Sequence, residues 1–300
     1  MNMNITAPEL KRCLDGSEVI LVDLLTPEEY ARQHIPGARN ACVYEMIFLD
    51  RVAECANDRE CSLVVYDATG KSRAAATARE KLDRAGYRNV AILEGGLAAW
   101  ESAGYPVERL ASAVAGEPAV RDGVYLVDTD MSVVEWTGRN INNRHYGRIA
   151  LAEGEVTLAN RALSGGRFVL DMTSISNLDL QDATWRDLLL RHLMSDDFFD
   201  VERYPTAVFA VTGYEPIAGA APGTPNGIVT GNLTIRDVTR PVSFSAVIAP
   251  QEDGSIKAQA AFDLDRTLWN VCYGSGRFYE RLGMHLVHDL ISLEMFIVAR

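Results

Sequence analysis

Two textures of hydrophobic patterning divide the chain. Over residues 1–108, short and nearly all-apolar runs alternate with helix-period segments; beyond residue 120, long stretches alternate apolar and polar residues one by one. In the first texture, "VILVDL" (19–24), "SLVVY" (62–66) and "VAIL" (90–93) are β-branched and apolar on both faces, as strands covered on both sides must be. Helix starts are marked by Thr6 with Glu9 and by Thr26 with Glu29, both spaced as capping boxes, and by Pro27 at the first helical position. This pattern predicts an α/β domain with a parallel sheet.

Residues 109–120, "RLASAVAGEPAV", carry small residues and a proline with no amphipathic period, and read as a linker. In residues 121–300 the segments "SVVEWTGRN", "GRFVLDMTSI", "TAVFAVTGY", "GIVTGNLTIRD", "PVSFSAVIA", "SIKAQAAFDLD" and "HDLISLEMFIV" follow one another between turn residues, and "ATWRDLLLRHLM" (183–194) has a helical pattern. Many strands at this spacing predict an antiparallel barrel or sandwich. Its inward faces carry large apolar groups. A closed sheet of about eight strands either fills its interior with side chains or encloses one slender ligand.

Composition narrows the function classes. A formal charge of -12 with no Lys/Arg run argues against a nucleic-acid surface or a continuous anionic-membrane surface. No apolar run reaches the ~18 residues needed to span a bilayer, and the start "MNMNITAPELKRCLDG" shows no basic-then-apolar leader, so the expectation is a cytoplasmic protein. Five cysteines (Cys13, Cys42, Cys55, Cys61, Cys272) without a C-x-x-C pair suit reduced thiols. Neither a cofactor fingerprint nor a metal-ligand set stands out; His285 and His288, three apart on an approach to a strand, would fall on opposite faces.

The stretches "VILVDLLTPEEYARQHIPGARN", "LVVYDATGKSRAAATAREKLDRAGYRNVAILEGGLAAW" and "AGYPV" resemble a rhodanese domain across residues 5–108. In sulfur-transferring members of that family a cysteine opens the turn after the central strand. A loop of backbone N–H groups feeding a helix N-terminus lowers a thiol's pKa and steadies the persulfide it carries. Here Asp67 opens the turn, followed by Ala68, Thr69, Gly70, Lys71, Ser72 and Arg73. A carboxylate can accept the same hydrogen bonds but forms no persulfide, so the expectation is a loop plugged by its own side chain and an inactive, partner-docking module. The Ser72–Arg73 order also reverses the sulfurtransferase pattern. Asp67 and Arg73 keep the spacing of the related Cys-dependent phosphatases, but a fixed carboxylate would repel an incoming phosphate. The alternative is a sulfurtransferase that uses a cysteine outside the usual position. Gly95–Gly96 is read as close backbone packing rather than chemistry.

Beyond the linker, "YLVDTDMSVVEW", "GGRFVLDMTSI", "LMSDDFFDVERYPTAVF", "VTGNLTIRDVTRPVSF" and "FDLDRTLWNV" resemble the YceI family over residues 121–300. That resemblance implies a lipocalin-like barrel and an apolar small-molecule partner such as a polyisoprenoid in its interior. Phe168, Leu170, Phe209, Val211, Leu233, Phe244 and Phe262 are the candidate wall, either of a tunnel or of a filled core. Two polar clusters, in "GRNINNRHYGR" (138–148) and "YGSGRFYERLGMHLVHD" (273–289), could hold a polar headgroup, with Arg139, Asn140, His145 and Arg277 as its candidates, or could be solvated loops.

Overall fold

The structure, a computed structural model, describes residues 4–16, 19–109 and 121–300; the expected linker at 109–120 lies outside them except for Arg109. The chain divides into two compact units, Met1–Ala115 and Gly116–Arg300.

The first unit runs β1 (Asn4–Ile5), α1 (Ala7–Asp15), β2 (Ile20–Asp23), α2 (Pro27–Arg32), β3 (Arg39–Asn40), α3 (Phe48–Cys55), β4 (Ser62–Tyr66), α4 (Ala74–Arg84), β5 (Asn89–Leu93) and α5 (Gly96–Ser102). All its strand pairs are parallel, in the order β1-β5-β4-β2-β3. The central strand explains the two-sided apolar run. Leu63 and Val65 join one core with Phe48 and Val52 of α3 and Leu82 of α4, whereas Val64 and Tyr66 join the other with Leu10 of α1 and Trp100 of α5. At the start of α1 the Glu9 carboxylate accepts the Thr6 N–H at 2.9 Å. At α2 only half of the expected box forms. The Thr26 hydroxyl accepts the Glu29 N–H at 3.4 Å, but the Glu29 carboxylate turns to Arg32 at 2.7 Å.

The second unit runs β6 (Gly123–Leu126), β7 (Val133–Arg139), β8 (Arg144–Ala159), β9 (Ala162–Asp171), α6 (Ala183–Met194), β10 (Thr206–Pro216), β11 (Gly227–Ile235), β12 (Val238–Pro250), β13 (Ile256–Asp265) and β14 (Leu290–Ala299). Antiparallel pairing runs β7-β14-β13-β12-β11-β10-β9, and β8 closes the ring by bonding β9 along one edge and β7 then β6 along the other. β6 and β7 share one position, since Val127 bridges Ala299 of β14 on β6's far side. The result is an eight-strand barrel with α6 as its main helix. β8 differs from the sequence reading, which treated residues 138–148 as one polar segment: only 140–143 turn, and the flanks are β7 and β8. Among the described residues no helix is long and apolar enough to cross a membrane.

One buried acid in the first unit has a measurable consequence. Asp23, fully buried at the end of β2, has its carboxyl pushed above the ordinary range by burial, against the opposing hydrogen bonds of Tyr66 and the Leu25 N–H and the nearby His34. The folded state therefore holds this proton more tightly than the unfolded chain, and the contribution to stability falls as pH rises past the unfolded value near 3.9. Asn at this position can still accept the Leu25 N–H, which Asp23 Oδ1 takes at 2.8 Å. The denaturation midpoint of Asp23→Asn, relative to wild type, is expected to rise as the pH is raised above about 4; a constant difference would contradict this account.

Candidate functional site

The barrel interior is hollow, and the reason lies in where its glycines sit. Gly231 on β11 faces inward diagonally across from Phe209 on β10, and a Cβ there would come within 2.4 Å of the Phe209 ring. Gly154 plays a similar part for Phe168, where a Cβ would come within 3.3 Å of the ring. Each large ring thus lies flat along the sheet, over a neighbour without a side chain, instead of projecting to the axis. Phe209, Phe244 and Phe262 form a row, with centroids 5.6 Å apart for the first pair and 4.3 Å for the second, which is stacked.

The space left is a cavity of about 390 Å³, within the ~300–1,000 Å³ typical of small-molecule sites. All seven sequence-selected wall residues, Phe168, Leu170, Phe209, Val211, Leu233, Phe244 and Phe262, line it. The sequence reading missed Trp136, Met172, Phe198 and Phe199. The last two sit inside the "SDDFFDVERYP" block, where the adjacent phenylalanines were the available signal.

One end of the cavity is polar. Arg139 at the end of β7, Asn140 in the following turn and His145 in β8 all reach the lining, together with His192 of α6, Arg266 and Tyr273. Most of these groups already have partners. Arg139 donates to the Ser292 hydroxyl at 2.7 Å, and Ser292 donates to Asp263 at 2.5 Å. The Asn140 side-chain oxygen closes its own turn by accepting the Asn142 and Asn143 N–H groups at 2.8 and 2.7 Å. His145 Nδ1 meets Asp179 at 2.8 Å. Burial raises the Asp179 carboxyl, but the Tyr146 N–H, His145 and the Asn177 amide together hold it below the ordinary range. The His192 ring stands edge-on to Phe198 and Tyr273, with centroids at 4.9 and 4.4 Å. Arg277 lies away from the lining. Its exposed guanidinium pairs with Asp265 at 2.8 Å and Asp289 at 3.1 Å. Arg266, buried, donates to the carbonyls of Val271, Val287 and His288 and so pins the 271–288 segment over this end. Among the described residues no group of three or more His, Cys, Asp or Glu is placed to hold a metal ion.

In the first unit the loop after β4 closes on itself. Asp67 is 2% exposed, and its Oδ1 accepts the Thr69 N–H at 3.2 Å and the Gly70 N–H at 2.5 Å, while Oδ2 accepts the Ser72 hydroxyl at 2.5 Å. Ser72 in turn accepts the Ala74 N–H at 3.1 Å, ahead of α4, and Lys71 and Arg73 are exposed. The Gly95–Gly96 pair is a packing device. Leu97 N–H bonds the Asp67 carbonyl at 2.9 Å, and Gly96, at φ +58°, lies so close that a Cβ would meet that carbonyl at 2.2 Å. Elsewhere in the unit, burial pushes the Cys55 and Cys61 thiols up, away from nucleophilic character.

With both sites described, relatives can be placed against them. An HTH-type transcriptional regulator of Mycobacterium tuberculosis is 38% identical over 104 residues, which is 35% of this chain and 44% of the regulator. A UPF0312 protein of Pseudomonas aeruginosa is 32% identical over 108 residues, 36% of this chain and 51% of the relative. The chain thus spans about half the length of the curated relatives it matches. Among solved structures, a polyisoprenoid binding domain from Saccharophagus degradans covers 59% of this chain and 97% of its own, at 14% identity and a TM-score of 0.43. Family models match a rhodanese-like domain at residues 6–103 and a YceI-like domain at residues 125–299. The chain belongs to the YceI-like family, with a rhodanese-like domain preceding the barrel.

Proposed function

We propose that the barrel binds or carries a slender apolar molecule of the isoprenoid class, and that the rhodanese-like unit is a noncatalytic module that docks a protein partner. The observation that carries the first part is the apolar cavity of about 390 Å³, kept open by rings laid over glycines. A cavity lined in this way holds water poorly and gains about 0.8 kcal/mol for each methylene that enters it. The polar end suits a ligand whose chain terminates in a hydrogen-bonding group. The second part is supported by Asp67, whose two oxygens take the amides and hydroxyl that a persulfide would need.

Organic extraction of freshly purified protein followed by mass spectrometry is expected to release an apolar chain compound. Ala260 lies in the cavity wall, and Ala260→Trp is expected to fill the axis and weaken binding of an added isoprenoid at least tenfold, about 1.4 kcal/mol, while the far-ultraviolet spectrum stays that of the barrel. Undiminished binding by this variant would place the ligand elsewhere.

For the first unit, a thiosulfate-to-cyanide assay is expected to show no turnover by the native chain. Turnover lost on replacing one native cysteine would favour the sulfurtransferase alternative. Asp67→Cys puts a thiol among the freed amides, and its pKa, read by thiol alkylation against pH, is expected to fall below the ~8.5 of a free cysteine. A value at or above that figure would mean that the loop is no anion cradle.

A further inference from the structure

The three segments around the polar end of the barrel carry a second feature that the tunnel does not use. They are locked to one another: Asn140 bridges Val287, the His288 N–H bonds the Arg139 carbonyl at 2.9 Å, the Leu178 N–H bonds the Tyr146 carbonyl at 2.9 Å, and His192 of α6 packs on Tyr273. The β7–β8 turn, the 176–194 segment with α6, and the 273–288 segment therefore form one rim around the end where Arg139, His145 and His192 line the cavity.

This rim displays large apolar side chains to solvent. Ile141 is 72% exposed, Trp185 62%, Phe278 57% and Met284 80%, with Leu178 and Leu188 also exposed. No residue of α6 is buried, although seven of its twelve positions are Ala, Leu, Met or Trp. An apolar ring of this kind around the polar end of an apolar cavity is costly in water and calls for a covering partner.

The charge around the rim says which partner. The chain as a whole is at -12, yet residues 138–148 hold Arg139, Arg144 and Arg148 and no carboxylate. Arg144 and Arg281, both exposed, have no ion-pair partner within 4.0 Å among the described residues. Of the acids in the three segments, Asp179 is held by His145, Asp182 caps α6, Asp187 pairs with Arg186, and Glu280 remains; just beyond them Asp197 meets His192 at 3.4 Å, Asp289 meets Arg277 at 3.1 Å, and Asp196 stands beside Asp197. Distant negative charge is screened beyond about 8 Å at physiological salt, so a surface brought against the rim meets the local arginines rather than the global count.

We propose that this rim seats the barrel on a lipid bilayer containing anionic lipid, with Trp185, Ile141, Phe278 and Met284 entering the headgroup region and Arg144 and Arg281 meeting lipid phosphates. Exposed tryptophan beside arginine on a part-buried helix is the composition of an interfacial contact. The inference rests on the tunnel reading, because the rim surrounds the tunnel's polar end and lets an isoprenoid pass between bilayer and barrel without crossing water.

The test is flotation of the full chain with vesicles of equal parts phosphatidylglycerol and phosphatidylcholine, and with phosphatidylcholine alone. Trp100, Trp136 and Trp269 are buried, so Trp185 is the tryptophan whose emission reports the contact. Flotation with the anionic vesicles and a blue shift are expected, with binding weakened at least tenfold in Ile141→Ser/Phe278→Ser and in Arg144→Glu/Arg281→Glu. These residues are exposed, so the variants fold. Absence of flotation, or flotation untouched by either pair, overturns the proposal; in the first case the rim belongs to a protein partner. Ala260→Trp separates the two readings: vesicle binding that persists in it while isoprenoid binding is lost shows the rim acting by itself, and isoprenoid binding without vesicle binding leaves the tunnel standing and removes the rim.

Discussion

Everything in the second unit depends on the closure of the sheet through β8. Its sixteen residues are long enough to pair with β7, then β6, on one edge while holding β9 on the other, so the ring has no free edge and a fixed circumference. Circumference alone would not keep the axis open, because phenylalanines at alternate inward positions could meet across it. The inward glycines prevent this by letting the rings lie along the wall. Two local rules, hydrogen-bond closure and ring-over-glycine packing, thus produce a hollow cylinder from side chains that elsewhere would make a solid core.

The first unit shows the same economy of means with the opposite outcome. Its strand, turn and helix assemble the ring of donors that suits an anion, and the chain supplies the anion itself. The loop is further fixed from the side by Leu97 and Gly96, whose approach leaves no room for even a methyl group. Through these bonds the loop joins the sheet to two helices.

Much of this was legible in the sequence because the relevant signals were local. The parallel sheet could be read from "SLVVY", where neighbouring residues enter different cores, and α6 could be read from its own twelve residues. The seven wall residues followed from alternation. β8 was hidden for physical reasons. Gly147 and Gly154 weaken its strand signal, and both are required by neighbours distant in sequence, since a Cβ would meet the Ser176 carbonyl at 1.7 Å and Val127 at 2.8 Å. Its hairpin turn uses Asn160 and Arg161 at φ 53° and 61°, with their N–H groups held by Asp122, in place of an Asn-Gly pair. Arg277 was misplaced because a cluster of polar residues shows no direction, and Asp265 and Asp289 draw it outward.

The bonds that hold Asp67 all come from within five residues of it and involve no sulfur. A persulfide-bearing loop changes its contents each time an oxidant or a reductant passes by. With no sulfur in those bonds, this loop has the same contents in an oxidising medium as in a reducing one, and under the proposed docking role that would give a partner an unvarying surface.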